Sequence, residues 1–355
     1  MSRLQKAWWK IALIMIVAGL ALIILSFSLG ARGGYAYIGD GRLRFTSAGT
    51  YYTIQESNLQ PFDAVEVMVK SANIEIVESD HFGLEMRLPE YEDAPEWGII
   101  DGKLTINASK SDNIFAFMSI GFHQSHYIKV YYPGDKTSSF AGFGSNKLKS
   151  VDLTAGSGDI LLQGVSADRI GVNTSSGIIR IDAPYYQIAA AHTNSGNITF
   201  SGKGDKASLK LSAFSGLIKA DASGCSAVDL DTKSGNITVS GGTDTDADIK
   251  AIANSGLIDV NVTAWASLSA ETGSGNIEIS GYPHGTTSAK TGSGYVTMSL
   301  GGNEGDFSYD VSTGSGLIRI GGNRIGSPAR NINNAAGNSI YIRTSSGNVR
   351  LDFDR

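Results

Sequence analysis

Beyond residue 60 the chain alternates apolar and polar residues with period two, as in Asn197-Ile198-Thr199-Phe200, Asn236-Ile237-Thr238-Val239 and Asn276-Ile277-Glu278-Ile279. Alternation of this kind sorts side chains onto the two faces of an extended backbone, so each run reads as a half-buried β-strand. A Ser-Gly pair precedes each run. Its glycine stands at Gly158, Gly177, Gly196, Gly216, Gly235, Gly256, Gly275, Gly294, Gly316 and Gly347, with gaps of 19, 19, 20, 19, 21, 19, 19, 22 and 31 residues. Four and six residues before the serine lies a second apolar set: Val172 and Ile170, Leu211 and Leu209, Leu230 and Val228, Ala270 and Leu268. One strand therefore enters each turn and another leaves it, and the glycine takes the positive φ that a Cβ resists.

Units this small bury their apolar faces only by stacking on one another, which predicts an all-β solenoid. A helical reading fails, because no window outside the N-terminal segment sustains the 3.6 period. Barrels and sandwiches seldom keep so constant a turn. The residue after Ser-Gly alternates in kind: Asp159, Ile178, Asn197, Leu217, Asn236, Leu257, Asn276, Tyr295. With like stacked on like, the half-coils of 19–20 residues combine into a full coil near 39 residues. Such a coil makes Asp159, Asn197, Asn236 and Asn276 a hydrogen-bonded polar ladder on one corner. It makes Ile178, Leu217, Leu257 and Tyr295 an outward apolar stripe, a candidate interaction surface.

Residues 151–355 carry the regular repeat, and residues 60–150 a looser form of it. Ser71-Ala72-Asn73-Ile74-Glu75-Ile76 repeats the turn with alanine for glycine, while Gly102–Ile106 and Tyr127–Tyr131 read as further strands. Residues 32–60 read as a tether with an added edge strand. Residues 11–31, IALIMIVAGLALIILSFSLGA, hold no charged residue and match the roughly 20 residues of a bilayer-crossing helix. Trp8 and Trp9 sit as interfacial anchors, and Arg3, Lys6 and Lys10 precede the run. That asymmetry predicts a single span in the cell membrane, residues 1–10 as a cytoplasmic stub, and an extracellular ectodomain. The alternative is a cleaved secretory signal ending near Ser28-Leu29-Gly30 or Gly34-Tyr35-Ala36. Signals of that class have shorter apolar cores, roughly 7 to 15 residues, which favours an uncleaved signal anchor.

Glycine at 44 of 355 residues lies well above the average of roughly 7%, and charged residues at 18% lie below the average, as a turn-dense β protein requires. A hydrophobic content of 41% excludes wholesale disorder. The single cysteine, Cys225, allows neither an internal disulfide nor a cysteine-based zinc site, and reads as a packed thiol. A net charge of -5 argues against nucleic-acid binding.

The serial T-x-S-G-[DN]-I turns, behind a Lys70-Ser71-Ala72-Asn73-Ile74-Glu75-Ile76 segment, resemble the bacterial putative-adhesin β-strand repeat domain of unknown function, related to the autotransporter adhesin head domain. The resemblance spans about residues 60 to 355. It implies a right-handed parallel β-helix, frequently behind one membrane span, and in some Gram-positive members a place beside cell-envelope stress systems. It brings no catalytic residue. The stretch from Gly321 to Asn338 departs from the pattern.

Candidate chemistry is sparse. Asp244-Thr245-Asp246-Ala247-Asp248 has the acidic alternation of a calcium loop, but Ile249 and Ser255 stand where an EF-hand needs glycine and glutamate. A polar corner is the reading taken. His123 and His126 are three apart, hence on opposite strand faces, and His81, His192 and His284 are scattered, so no metal site is read. Phe115, Phe117, Met118, Ile120 and Phe122 read as a cap over the open solenoid end, with a binding tip as the alternative. Turns of two to nine residues between 150 and 300 are too short to wall a catalytic cleft. These features predict a non-enzymatic, membrane-anchored, extracytoplasmic structural or interaction module of adhesin-like kind, without cofactor. Its partner would be a protein, the cell wall or a second copy. The alternatives are an accessory of envelope-stress signalling acting on a membrane partner and a glycan-active β-helix enzyme.

Overall fold

A computed structural model describes residues 51–89, 94–109, 125–134, 147–332 and 336–354, the backbone of strands at 34–39, 42–47 and 115–120, and positions 15, 17 and 19. Apart from those three positions the 11–31 run lies outside the described residues, and no helix among the described residues is long and apolar enough to cross a membrane. The phenylalanine-rich segment contributes only a strand backbone, Phe115–Ile120, antiparallel to Gly34–Gly39; its side chains, and His123, lie outside the described set.

The chain forms an all-β solenoid in which successive coils pair in parallel. Strands leaving the Ser-Gly turns run in register, with Ile160, Ile179, Ile198, Ile218, Ile237, Ile258, Ile277 and Val296 on successive neighbours. Each of these side chains is at most 1% exposed. Strands entering the turns form a second continuous ladder, through Val151, Ile170, Ala189, Leu209, Val228, Ile249 and Leu268. The inward rows of both ladders form one hydrophobic core. β-branched residues suit the inward positions because their restricted χ1 packs well on a pleated surface.

Register corrects the coil length. Ile179 pairs with Ile198 and Ile198 with Ile218, so one coil takes 19 to 21 residues and the 39-residue coil does not occur. Stacking like on like was the wrong physical criterion. The polar member of each pair uses its side chain on the backbone of the next coil: the N–H groups of Ile178, Leu217, Leu257 and Tyr295 donate to Asp159 Oδ1, Asn197 Oδ1, Asn236 Oδ1 and Asn276 Oδ1 at 2.8, 2.9, 2.9 and 3.0 Å. A backbone donor needs no polar side chain, so an apolar residue fits each intervening coil.

Stacking order departs from chain order at both ends. Strands Asn338–Ser346 and Val349–Asp354 insert between the coil of Gly294 and that of Gly316, so Gly316 lies on the outermost coil. At the other end, Ala64–Ser71 and Asn73–Ser79 come first in the chain but second in the stack, beneath Lys103–Ala108 and Tyr127–Pro133. Antiparallel strands then cover the edges: Glu96–Ile100 and Gly83–Pro89 at one end, Asn323–Ile325 and Ala329–Asn331 at the other. An uncovered terminal coil would offer a row of unpaired backbone groups to any passing strand. The irregular stretch after Gly321 is thus partly an end cap, and Tyr51–Glu56 adds an edge strand to Gly83–Pro89.

Candidate interaction surface

At the Ser-Gly corner the T-x-S-G motif has a direct cause. Thr174, Thr232, Thr272 and Thr291 are buried, and their hydroxyls donate to the carbonyls of Gly158, Gly216, Gly256 and Gly275 on the neighbouring coil, at 3.4, 3.4, 3.4 and 2.9 Å. The turn glycines adopt φ between 131° and 152°. The residues on either side of Ser-Gly are the ones that vary most along this edge.

Coil length also corrects the proposed rows. Asp159, Asn197, Asn236 and Asn276 are not adjacent, and neither are Ile178, Leu217, Leu257 and Tyr295; the two sets interleave, so members of either lie two strands apart, roughly 10 Å. No contiguous apolar stripe exists here. Leu217 and Tyr295 are exposed, while Ile178 and Leu257 are half-buried. Replacing Asn236 by alanine should cost about 1 kcal/mol by leaving the Leu257 N–H without its side-chain acceptor, whereas Asn236→Asp, which copies Asp159, should be near neutral. Denaturant midpoints of the two variants check this.

An exposed aromatic that the repeat does not announce lies beside Leu217. Phe214 is 55% exposed, and Lys233 Nζ from the next coil sits 4.8 Å from its ring centroid. Lys233 thus lays a cation over the exposed Phe214 face, and Leu217, three residues on across the turn, is exposed at the same corner. Comparing position 214 with its counterparts Asn194, Lys233 and Asn254 would have found it, since all three are polar.

The remaining candidates sit apart. Asp246 pairs with Lys206 at 3.5 Å, and no group of three or more His, Cys, Asp or Glu among the described residues could hold a metal ion. His192 lies between Ser212 Oγ, at 2.8 Å from Nδ1, and Asn194 Oδ1, at 3.1 Å from Nε2, on an open sheet face. His126 packs against Tyr51. Cys225 is fully buried, its Sγ 2.9 Å from Tyr186 Oη, and burial pushes the thiol pKa up, which disfavours the reactive thiolate.

An all-β solenoid with threonine-braced Ser-Gly corners and antiparallel end caps defines a repeat class of protein. The Toastrack DUF4097 family matches residues 62–187, 144–241 and 185–352, and the chain belongs to that family. Solved structures similar to it include a putative adhesin from Parabacteroides distasonis, 11% identical, covering 85% of this chain and 98% of that one, with a TM-score of 0.41. A putative lipid binding protein from the same organism is 20% identical over 85% of this chain and 98% of its own, with a TM-score of 0.41. A putative adhesin from Bacteroides fragilis is 12% identical over 86% and 98%, with a TM-score of 0.35. No curated protein matches the chain.

Proposed function

We propose that the chain is a non-catalytic binding module of adhesin-like kind, displayed outside the cytoplasm and held at the cell membrane by residues 11–31. Its coils are read as right-handed, the hand that the resemblance implies. The observation that carries the binding role is the exposed Phe214–Leu217–Lys233 patch. The fold requires no apolar group at either position, and exposed apolar clusters beside a cation are common at interaction sites. The partner is a protein or cell-wall component with a flat apolar face. The anchoring reading rests on the uncharged run and on the basic residues before it.

Two measurements test this. Protease added to intact cells should remove the ectodomain; mature protein free in the medium and beginning near Gly34 or Tyr37 would overturn the anchor. Full-length chain in detergent should sediment with isolated cell envelopes, and Phe214→Ser with Leu217→Asp should reduce the sedimented fraction about tenfold, or roughly 1.4 kcal/mol, at an unchanged melting temperature. Equal sedimentation of both proteins would remove the patch from the function.

A further inference from the structure

Two residues beyond the variable corner position, the strands that leave the turns present another outward row. Across five successive strands it reads Asp259, Glu278, Thr297, Arg350, Arg319. This order exists only in the stack, because Arg350 follows Arg319 in the chain. Arg324, on the antiparallel cap strand, pairs with Arg319 and extends the basic end. Each half of the row sets like charges on directly adjacent strands, an arrangement that destabilises a sheet. Arg350 has Asp352 of its own strand at 2.5 Å, while Asp259, Glu278 and Arg319 have no ion-pair partner among the described residues. Glu278, Arg350 and Arg319 are exposed and Asp259 is half-buried.

Thr297 stands at the centre of this row, with acids on one side and arginines on the other. A two-fold axis lying between two such faces, parallel to the strands and directly over Thr297, sets each strand opposite the strand equally far on the other side of Thr297 in the second copy. Arg350 of one copy then faces Glu278 of the other, and Arg319 faces Asp259. Arg324 faces the neutral Thr238, three strands away on the other side of the axis. Isologous pairing of this sort requires a self-complementary patch, and a row that is antisymmetric in charge about its centre is one. Tyr295, 56% exposed, flanks Thr297 on the same strand, so the same axis brings the Tyr295 phenols of the two copies together. An open cleft of about 320 Å³, lined in part by Tyr295, Leu317, Arg319 and Arg350, lies within the patch.

We propose that this sheet face is a homotypic interface, through which two copies pair antiparallel by their C-terminal coils. Intermolecular ion pairs replace the repulsion that each copy carries alone. The overlap ends at the cap strand, three strands from Thr297, so the N-terminal ends of the two copies point away from each other. On the anchoring proposed above, and only on it, the pair joins copies held in two facing membranes.

The test uses the full chain in detergent. Sedimentation should give twice the 37.4 kDa chain mass at low salt and the single mass at high salt. Arg319→Glu with Arg350→Glu should weaken pairing at least tenfold, and adding Asp259→Arg with Glu278→Arg should restore it. Restoration also shows that the charge variants fold. Thr297→Cys should give an oxidised dimer, since the axis places the two thiols together, whereas Thr199→Cys, in the same row but far from the axis, should not. A single mass at low salt, or a quadruple variant that melts normally but stays monomeric, overturns the proposal. Binding of soluble polyphosphate by the monomer, lost with the arginines, would assign the basic end to an anionic ligand and overturn it equally. Vesicles carrying the full chain should cluster. A dimer in detergent without clustering overturns the facing-membrane arrangement and leaves the pair standing.

Discussion

Trp265→Ala is expected to lower the stability of the solenoid by about 3–5 kcal/mol, the usual consequence of emptying a buried tryptophan site. Trp265 is fully buried and the largest side chain in the core. Its indole N–H donates to Thr287 Oγ1 at 2.9 Å, and Thr287 is itself fully buried, so truncation also leaves a hydroxyl without its donor. Trp265→Phe should cost less, because most of the volume stays and only the hydrogen bond is lost. Contacts in a stack run between neighbouring coils, so hydrogen-exchange protection should fall first in strands Ile258–Ser274 and Ile277–Ser293. Denaturant titration and amide exchange check both statements. A parental midpoint for Trp265→Ala would mean that the residue does not fill the core.

Gly235→Val should be comparably severe, at roughly 2–6 kcal/mol, from backbone strain together with overpacking. Gly235 has φ +149°, and a Cβ built there would overlap the Gly216 carbonyl oxygen of the coil beneath. Gly322 separates the two effects. It has φ +80° in the turn before the cap strand, and nothing lies within 4 Å of a Cβ built on it. Gly322→Ala should therefore cost only the left-handed strain, about 1–2 kcal/mol. Gly316 stands between these cases. A Cβ there would meet the Gly347 carbonyl, but its coil is outermost and can give way, so Gly316→Ala should cost less than Gly235→Ala. Melting curves of the four variants test the order.

Much of this architecture was legible locally. Period-two alternation in Asn236-Ile237-Thr238-Val239 suffices to assign a half-buried strand, because consecutive side chains of an extended backbone must point to opposite faces. The Ser-Gly recurrence suffices to place turns, because few residues other than glycine accept their φ. Membership of a stacked β-repeat family follows from those two facts together. The Phe214–Leu217–Lys233 patch was half legible: Leu217 stands out in the turn pattern, but its neighbours are set by stacking.

Coil length, coil order and the charged row depended on long-range pairing. The alternation of Asn236 with Leu257 admitted two coil lengths, and the choice fell to a side-chain acceptor reaching the next backbone N–H, a contact that only assembled strands can make. The same bond runs from the Leu317 N–H to Asn348 Oδ1 at 2.8 Å, although residue 348 follows residue 317. In chain order the polar and apolar corner residues fall out of step after Tyr295; in stacking order, Tyr295, Asn348, Leu317, they stay in step. Arg350 comes to lie between Thr297 and Arg319 for the same reason. A strand's neighbours are decided by which edges remain open when it docks, and that is a property of the whole sheet rather than of any segment within it.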